Sequence, residues 1–294
     1  MKLTNTVWGI VRSRLRDTPF YVRFHITHHC NYRCRMCGLE FGQRKALPLE
    51  QIKTVAERLA TLGARHLVIT GGEPFLRPDI PEIIAIFRQH DFSVRVQTNG
   101  GPQVTEDLLV RCARAGLQDL SVSIDTLNPE LQDEICQAKD VVAHALRTLA
   151  LARQILPNSV SLANIVASSY NFAELPSLVR FFYEMGVYTY ITPVMTAADT
   201  ARGDAEYLFR GDCPSFRMYG MAPPLCDAVI AELISLRQQG YGLTNSSRSL
   251  IDFRQYLASG ISTWRCEAGT LGLDILPDGG VCICKEKAPV GNIL

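Results

Sequence analysis

Tyr21-Val-Arg-Phe-His-Ile-Thr-His-His-Cys30-Asn-Tyr-Arg-Cys34-Arg-Met-Cys37 is a strand-like run, Tyr21–Ile26, that leads directly into a loop holding three cysteines. Three thiolates inside eight residues can wrap one metal centre from a single loop. A cubane iron–sulfur cluster takes four cysteines, one per iron, so three with no fourth in the loop leave one iron open to an outside ligand. Two other readings of these residues stand beside that one. Zinc would need a fourth ligand, and His28 and His29 are close enough to keep it open; Cys34 and Cys37 alone would make a redox Cys-x-x-Cys.

Moving outward, a second strand, His66–Thr70, runs into Gly71-Gly72-Glu73-Pro74, at the strand end where β/α proteins build their sites. Two glycines let backbone come close to a ligand, and Glu73 offers an acceptor to an ammonium group. Alone the tetrapeptide could be a turn. Together the two motifs resemble the radical S-adenosylmethionine (SAM) superfamily, whose signature is Cys-x3-Cys-x2-Cys after the first strand and Gly-Gly-Glu-Pro after the second. The resemblance covers about residues 20–195. It implies that Cys30, Cys34 and Cys37 hold a [4Fe-4S] cluster and that Gly71, Gly72 and Glu73, with Pro74 completing the motif, receive the methionine amino group of SAM. It further implies that the open iron is chelated by SAM, which is cleaved reductively to a 5′-deoxyadenosyl radical that abstracts hydrogen from substrate. Tyr32 stands where the family places an aromatic residue near adenine.

Further strand ends fit the same implied rim: Thr98 and Asn99 after strand three, Ser123 and Asp125 ending strand four, Asn164 on strand five, and Pro193 with Val194 leaving strand six. Each read alone is a turn or cap residue. There is one departure. Many relatives carry an Arg-Gly pair after strand four, where this chain reads Cys136-Gln-Ala-Lys139-Asp; a lysine lacks the arginine fork, so a SAM carboxylate contact there is in doubt.

The wider pattern predicts the architecture. Pro48 opens a helix, Leu49 to Leu62, closed by Gly63; Pro81–His90 is a second helix, and Thr105 caps one ending at Gly116. Strands follow at Phe92–Gln97, Leu120–Ile124, Val160–Val166 and Val187–Thr192, with helix within Pro129–Leu156 and over Leu175–Met185. Six β/α units predict an α/β fold, a partial (β/α)6 barrel, since six fall short of the eight that close a full one. Beyond it come a cover segment without periodicity and helices over Leu225–Gln239 and up to Ser259, the latter capped by Asn245 or Ser246. Leu271–Leu276, the turn Asp278-Gly279-Gly280 and Val281–Cys284 read as a β-hairpin extension. The expected division is 1–20, an N-terminal segment; 21–195, the barrel; 196–260, cover and helices; and 261–294, the cysteine hairpin.

That tail resembles the opening of a SPASM or twitch domain, which implies an auxiliary iron–sulfur cluster on Cys266 and Cys284. Cys282 shares a strand face with Cys284 and either could serve. Relatives supply more cysteines downstream, whereas this sequence ends at Leu294, so the tail is expected either to be incomplete or to hold no cluster; Cys213 and Cys226 are the upstream candidates. Cys112 and Cys136 lie in helical patterns and read as core thiols. The six histidines read as structural, and Asp199, Asp204 and Glu206 as either solvated loop carboxylates or an acid–base partner.

Composition bounds the rest. The chain has 294 residues, ten cysteines, 47% apolar residues and a formal net charge of +1. No basic stripe marks a nucleic-acid partner. With no secretory h-region or membrane-length apolar run, the expected compartment is the cytoplasm, where clustered cysteines bind metal or do redox chemistry. Residues 1–18 have an apolar stripe and four basic side chains, which either packs on the barrel or rests on a membrane surface. The expected function is an enzyme of biosynthesis acting on a small-molecule, lipid or tetrapyrrole-type intermediate, with a reductant such as flavodoxin or ferredoxin. Only about 20 residues precede strand one, where peptide-maturing relatives often carry a recognition domain, so a peptide substrate is the second expectation. A non-catalytic electron carrier or redox sensor is the rival class; it would need no pocket for SAM.

Overall fold

The computed structural model describes residues 11, 14–15, 18–37, 44–194, 214–216, 218, 220–259, 269–283 and 288–294. Strands β1 (Tyr21–His25), β2 (His66–Thr70), β3 (Ser93–Thr98), β4 (Asp119–Ser123), β5 (Ser161–Ala167) and β6 (Tyr188–Pro193) pair in parallel and in chain order. Between them run helices α1 (Leu49–Leu62), α2 (Ile80–Gln89), α3 (Glu106–Arg114), α4 (Pro129–Cys136), α5 (Val141–Ile155) and α6 (Leu175–Glu184), followed by α7 (Pro223–Gln238) and α8 (Ser247–Ser259). The sheet is open, as six β/α units imply.

Register sorts the strand residues onto two faces, because parallel partners point the same way and side chains alternate along a strand. Val22, Phe24, Leu67, Ile69, Val94, Val96, Leu120 and Val122 share one face and are buried. Helices cover it: Phe87 of α2 meets Phe24 edge-on at 6.1 Å. Each such side chain, fully buried, contributes about 1.5–3 kcal/mol. The opposite, barrel-facing side carries Arg23, His25, Arg95, Gln97, Ser121, Ser123, Asn164 and Tyr190, mostly half-buried. The helix face therefore drives folding, and the other face is left for polar chemistry.

The stretch Pro129–Leu156 is two helices rather than one. Gln137 (φ 49°) and Asp140 (φ 55°) adopt left-handed backbone between α4 and α5. Asp133 of α4 caps the start of α5, accepting from the amides of Asp140 (3.1 Å) and Val141 (2.9 Å). Of the two cap candidates for α8, Ser246 fills the role, its hydroxyl accepting from Ser249 N at 3.0 Å. Asn245 instead binds the edge of β6, accepting from Ile191 N and donating to Ile191 O, both at 2.8 Å.

The C-terminal hairpin forms, but it is continuous with the barrel sheet. β7 (Gly272–Ile275) pairs in parallel with β1, and β8 (Gly280–Cys282) and β9 (Gly291–Asn292) add antiparallel, giving nine strands among the described residues in the order β6-β5-β4-β3-β2-β1-β7-β8-β9. An uncovered β1 would be an open edge. Buried Asp274 on β7 ties the junction, accepting from Arg23 at 2.6 Å and contacting His25 Nε2 at 3.0 Å. Cys266, Cys284, Cys213, Asp199, Asp204 and Glu206 lie outside the described residues, as does most of residues 1–18; in that segment's stripe, Val11 and Leu15 are described and exposed. No helix among the described residues is long and apolar enough to cross a membrane.

Candidate active site

Because β1 to β6 are parallel, the loops that follow them gather on one rim. The cysteine loop leaves β1 there, and the Gly71-Gly72-Glu73-Pro74 loop leaves β2 beside it. The two are stapled backbone to backbone: Gly72 N donates to Thr27 O and Glu73 N to His29 O, each at 2.7 Å. A β-carbon on Gly72 would stand 2.1 Å from His29 O, and one on Gly71, at φ 137°, 2.2 Å from Thr27 O. What the glycines admit at these positions is the cysteine loop's own backbone.

Glu73 is fully buried. Its Oε1 accepts from Phe75 N (2.9 Å) and the Thr98 hydroxyl (2.8 Å), and its Oε2 from Asn99 N (2.7 Å). The carboxylate thus braces the β2 loop against the β3 end; burial raises its pKa, while these three donors pull the other way. Pro74 starts the short 3-10 turn Pro74–Leu76 that follows. Asn99 continues the network, with its Nδ2 donating to Asn31 Oδ1 (2.8 Å) and lying 3.8 Å from Cys30 Sγ. Gln103, which the sequence did not single out, closes it by accepting from Asn31 Nδ2 and donating to Asn99 Oδ1, both at 2.9 Å. Tyr32 is buried beside Gly101, where an added β-carbon would come 2.9 Å from its hydroxyl; burial raises its pKa.

Asp125 is also buried, its Oδ1 accepting from Val166 N at 2.7 Å, and burial pushes its pKa up to about 7. Ser123 and Asn164 are register partners on the barrel-facing side, Pro193 ends β6, and Val194 is tied to β5 through Ala167 O at 2.8 Å. Lys139 is exposed in the turn between α4 and α5. The structure therefore joins Cys30, Glu73, Thr98 and Asn99 in one hydrogen-bonded network with Tyr32 beside it, and sets Ser123 and Asn164 on the adjoining face.

The donor set fits a sulfur-ligated cluster. Cys30 and Cys34 are half-buried and Cys37 is exposed. Tyr32 N, at 3.4 Å, and Asn99 Nδ2 aim at Cys30 Sγ, the contact that cluster thiolates accept. Burial raises the Cys30 pKa, and hydrogen bonding to Cys136, then burial, raises that of Cys34, so loading iron must displace protons. Among the described residues no three His, Cys, Asp or Glu side chains are already gathered around one point. Cys112, Cys136 and Cys226 are buried, and Cys282 is buried on β8.

Comparison with known proteins bears on the same region. The family model described as the radical SAM superfamily matches residues 24–182, more than half of the chain. A chain named "Probable GTP 3',8-cyclase" from Methanocaldococcus jannaschii is 30% identical over 188 residues, covering 62% of this chain and 61% of that one. A GTP 3',8-cyclase from Marinobacter nauticus is 29% identical over 181 residues, covering 58% and 53%. The chain thus spans between half and two thirds of these curated relatives. Among solved structures, Streptococcus suis SuiB bound to S-adenosylmethionine superposes with a TM-score of 0.70 at 13% identity, over 96% of this chain and 64% of that one. The likeness to SuiB is one of fold.

Proposed function

Since the chain belongs to the radical SAM superfamily, we propose that it is a SAM-cleaving enzyme acting on a small, polar, hydrogen-bonding substrate held against the barrel-facing side of the sheet. The family uses a [4Fe-4S] cluster and SAM, which together supply a 5′-deoxyadenosyl radical able to take hydrogen from an unactivated carbon. The observation that carries the reading is the stapled pair of loops: a three-thiol loop with no fourth cysteine, locked to Gly71–Glu73 by two 2.7 Å backbone bonds.

In this reading Cys30, Cys34 and Cys37 hold three irons. The Gly71–Glu73 loop orients the methionine ammonium, with the backbone carbonyls and the remaining acceptor capacity of the Glu73 carboxylate as candidates. Thr98 and Asn99 fix that carboxylate, and Tyr32 shields one side. A pure electron carrier has no use for this second loop. The polar class of substrate follows from the facing side chains. Gln97, Ser123 and Asn164 on that side would leave a lipid or tetrapyrrole facing polar groups that need hydrogen bonds, and an unmade bond of that kind costs about 1–3 kcal/mol. The names of the curated relatives specify GTP, which makes purine nucleotides the first compounds to assay.

The test is anaerobic incubation of reconstituted protein with SAM and dithionite, with 5′-deoxyadenosine quantified. Formation of 5′-deoxyadenosine supports the enzyme reading, and none under full cluster loading contradicts it. Stimulation by polar nucleotides and not by lipid micelles is the expected pattern for substrate class.

A further inference from the structure

Asn99 follows the last residue of β3, and its side chain reaches back to the cysteine loop. A side-chain amide offers two N–H donors and an oxygen with two lone pairs, and all four are engaged here. Oδ1 accepts from Gly101 N and from Gln103 Nε2, both at 2.9 Å. Nδ2 donates to Asn31 Oδ1 at 2.8 Å, and its other hydrogen is left for Cys30 Sγ, 3.8 Å away.

Which way this amide points is fixed by the backbone. Gly101 N can only donate, so the Asn99 atom it meets is the oxygen, and the Asn99 nitrogen faces Asn31 and Cys30. That nitrogen orients Asn31 in turn. The Asn31 atom it meets is the oxygen, so Asn31 Nδ2 faces Gln103 and donates to its Oε1 at 2.9 Å. Gln103 Nε2 is then left for Asn99 Oδ1, which closes the ring. One backbone amide thus orients three side-chain amides, and the ring turns a nitrogen toward the sulfur. No group in it titrates, so the orientation does not depend on pH.

We propose that Asn99 is a positioning residue whose side-chain N–H, held in place by Gly101 N, donates to the Cys30 sulfur and raises the reduction potential of the cluster that Cys30 helps to hold. The proposal rests on the reading of Cys30, Cys34 and Cys37 as ligands. A donor at a ligand sulfur draws off charge and favours the reduced, more negative cluster. Tyr32 N makes a companion contact to the same sulfur at 3.4 Å, but as backbone it survives any side-chain substitution. Asn99 supplies the part of this donor pair that a substitution can remove.

The experiment is a redox titration of anaerobically reconstituted full chain, followed by the paramagnetic resonance signal of the reduced cluster, on wild type, Asn99→Ala, Asn99→Ser and Gln103→Leu. Asn99→Ala is expected to shift the one-electron equilibrium about threefold toward the oxidised cluster, a midpoint about 28 mV lower at 59 mV per tenfold. Asn99→Ser keeps the turn, because a serine hydroxyl can accept from the amide two residues on, but it has no amide N–H for the sulfur, so its midpoint should fall alike. Gln103→Leu opens the same ring while Gly101 N still holds the Asn99 oxygen, so it should titrate at the wild-type midpoint. Should Asn99→Ala not retain iron, Asn99→Ser carries the comparison. Wild-type midpoints in the Asn99 variants that load overturn the proposal. A fall of the same size in Gln103→Leu also overturns it, since the midpoint would then follow the integrity of the ring and not the donor. Loss of iron from both Asn99 variants would make the residue necessary for loading and overturn the tuning role. A wild-type chain with no titrating cluster overturns the ligand reading beneath it instead.

Discussion

Glu73 and Asp125 carry their functional expectation and a structural duty at once. The sequence marks Glu73 as an acceptor without showing that three protein donors already use it. Replacing it by alanine leaves Phe75 N, the Thr98 hydroxyl and Asn99 N facing nothing, at about 1–3 kcal/mol for each that finds no water. Glu73→Ala is therefore expected to lower the urea midpoint as well as SAM affinity; weaker SAM binding with an unchanged midpoint would remove the brace from this account. Asp125 gives a pH signature. Burial lifts its pKa from the ordinary carboxylate range to about 7, so the folded chain holds a proton that the unfolded chain has released. Stability should accordingly fall as pH rises from about 4 to about 7. In Asp125→Asn, whose side chain can still accept from Val166 N, that slope should flatten; equal slopes in the two chains would show that Asp125 is not the titrating group.

Helices and strands were the legible part of the sequence. The first helix ends at Leu62, β2 spans the predicted His66–Thr70, and the other barrel strands shift by about a residue, because apolar period and punctuation are local signals. The break between α4 and α5 was not legible, since its left-handed positions are filled by Gln137 and Asp140 instead of glycine. Nor was the seating of the cysteine loop on the end of α4, where Arg33 N donates to Cys136 O and Arg35 N to Ile135 O. Asn245 looked like a cap and proves to be a side chain that completes the edge of β6. Asn245→Ala leaves Ile191 N and O without their partner, both buried, and is expected to cost about 1–3 kcal/mol. Thermal unfolding checks this; a loss under 0.5 kcal/mol, the size of an ordinary surface change, would mean that water replaces Asn245 there.

At the scale of the whole molecule, the pairing of β7 with β1 joins residues about 250 apart, and no local pattern announces it. It makes the C-terminal hairpin part of the barrel sheet. Asp274→Ala removes the partner of Arg23 and His25 at that junction and is expected to destabilise the chain by roughly 1.5–3 kcal/mol, the range for a hydrogen bond to a charged group. A chain that unfolds at the wild-type midpoint would show the hairpin to be held by its backbone ladder alone. The central claim, however, is that one loop of three cysteines next to the Gly71–Glu73 loop holds the cluster at which SAM is cleaved. Its most direct test is iron, sulfide and 5′-deoxyadenosine measured side by side in wild type and in the Cys30→Ala, Cys34→Ala, Cys37→Ala triple variant, both reconstituted anaerobically and given SAM and dithionite. The account predicts about four irons and four sulfides per chain fewer in the variant, with no 5′-deoxyadenosine; reductive cleavage of SAM at the wild-type rate in the triple variant would contradict it.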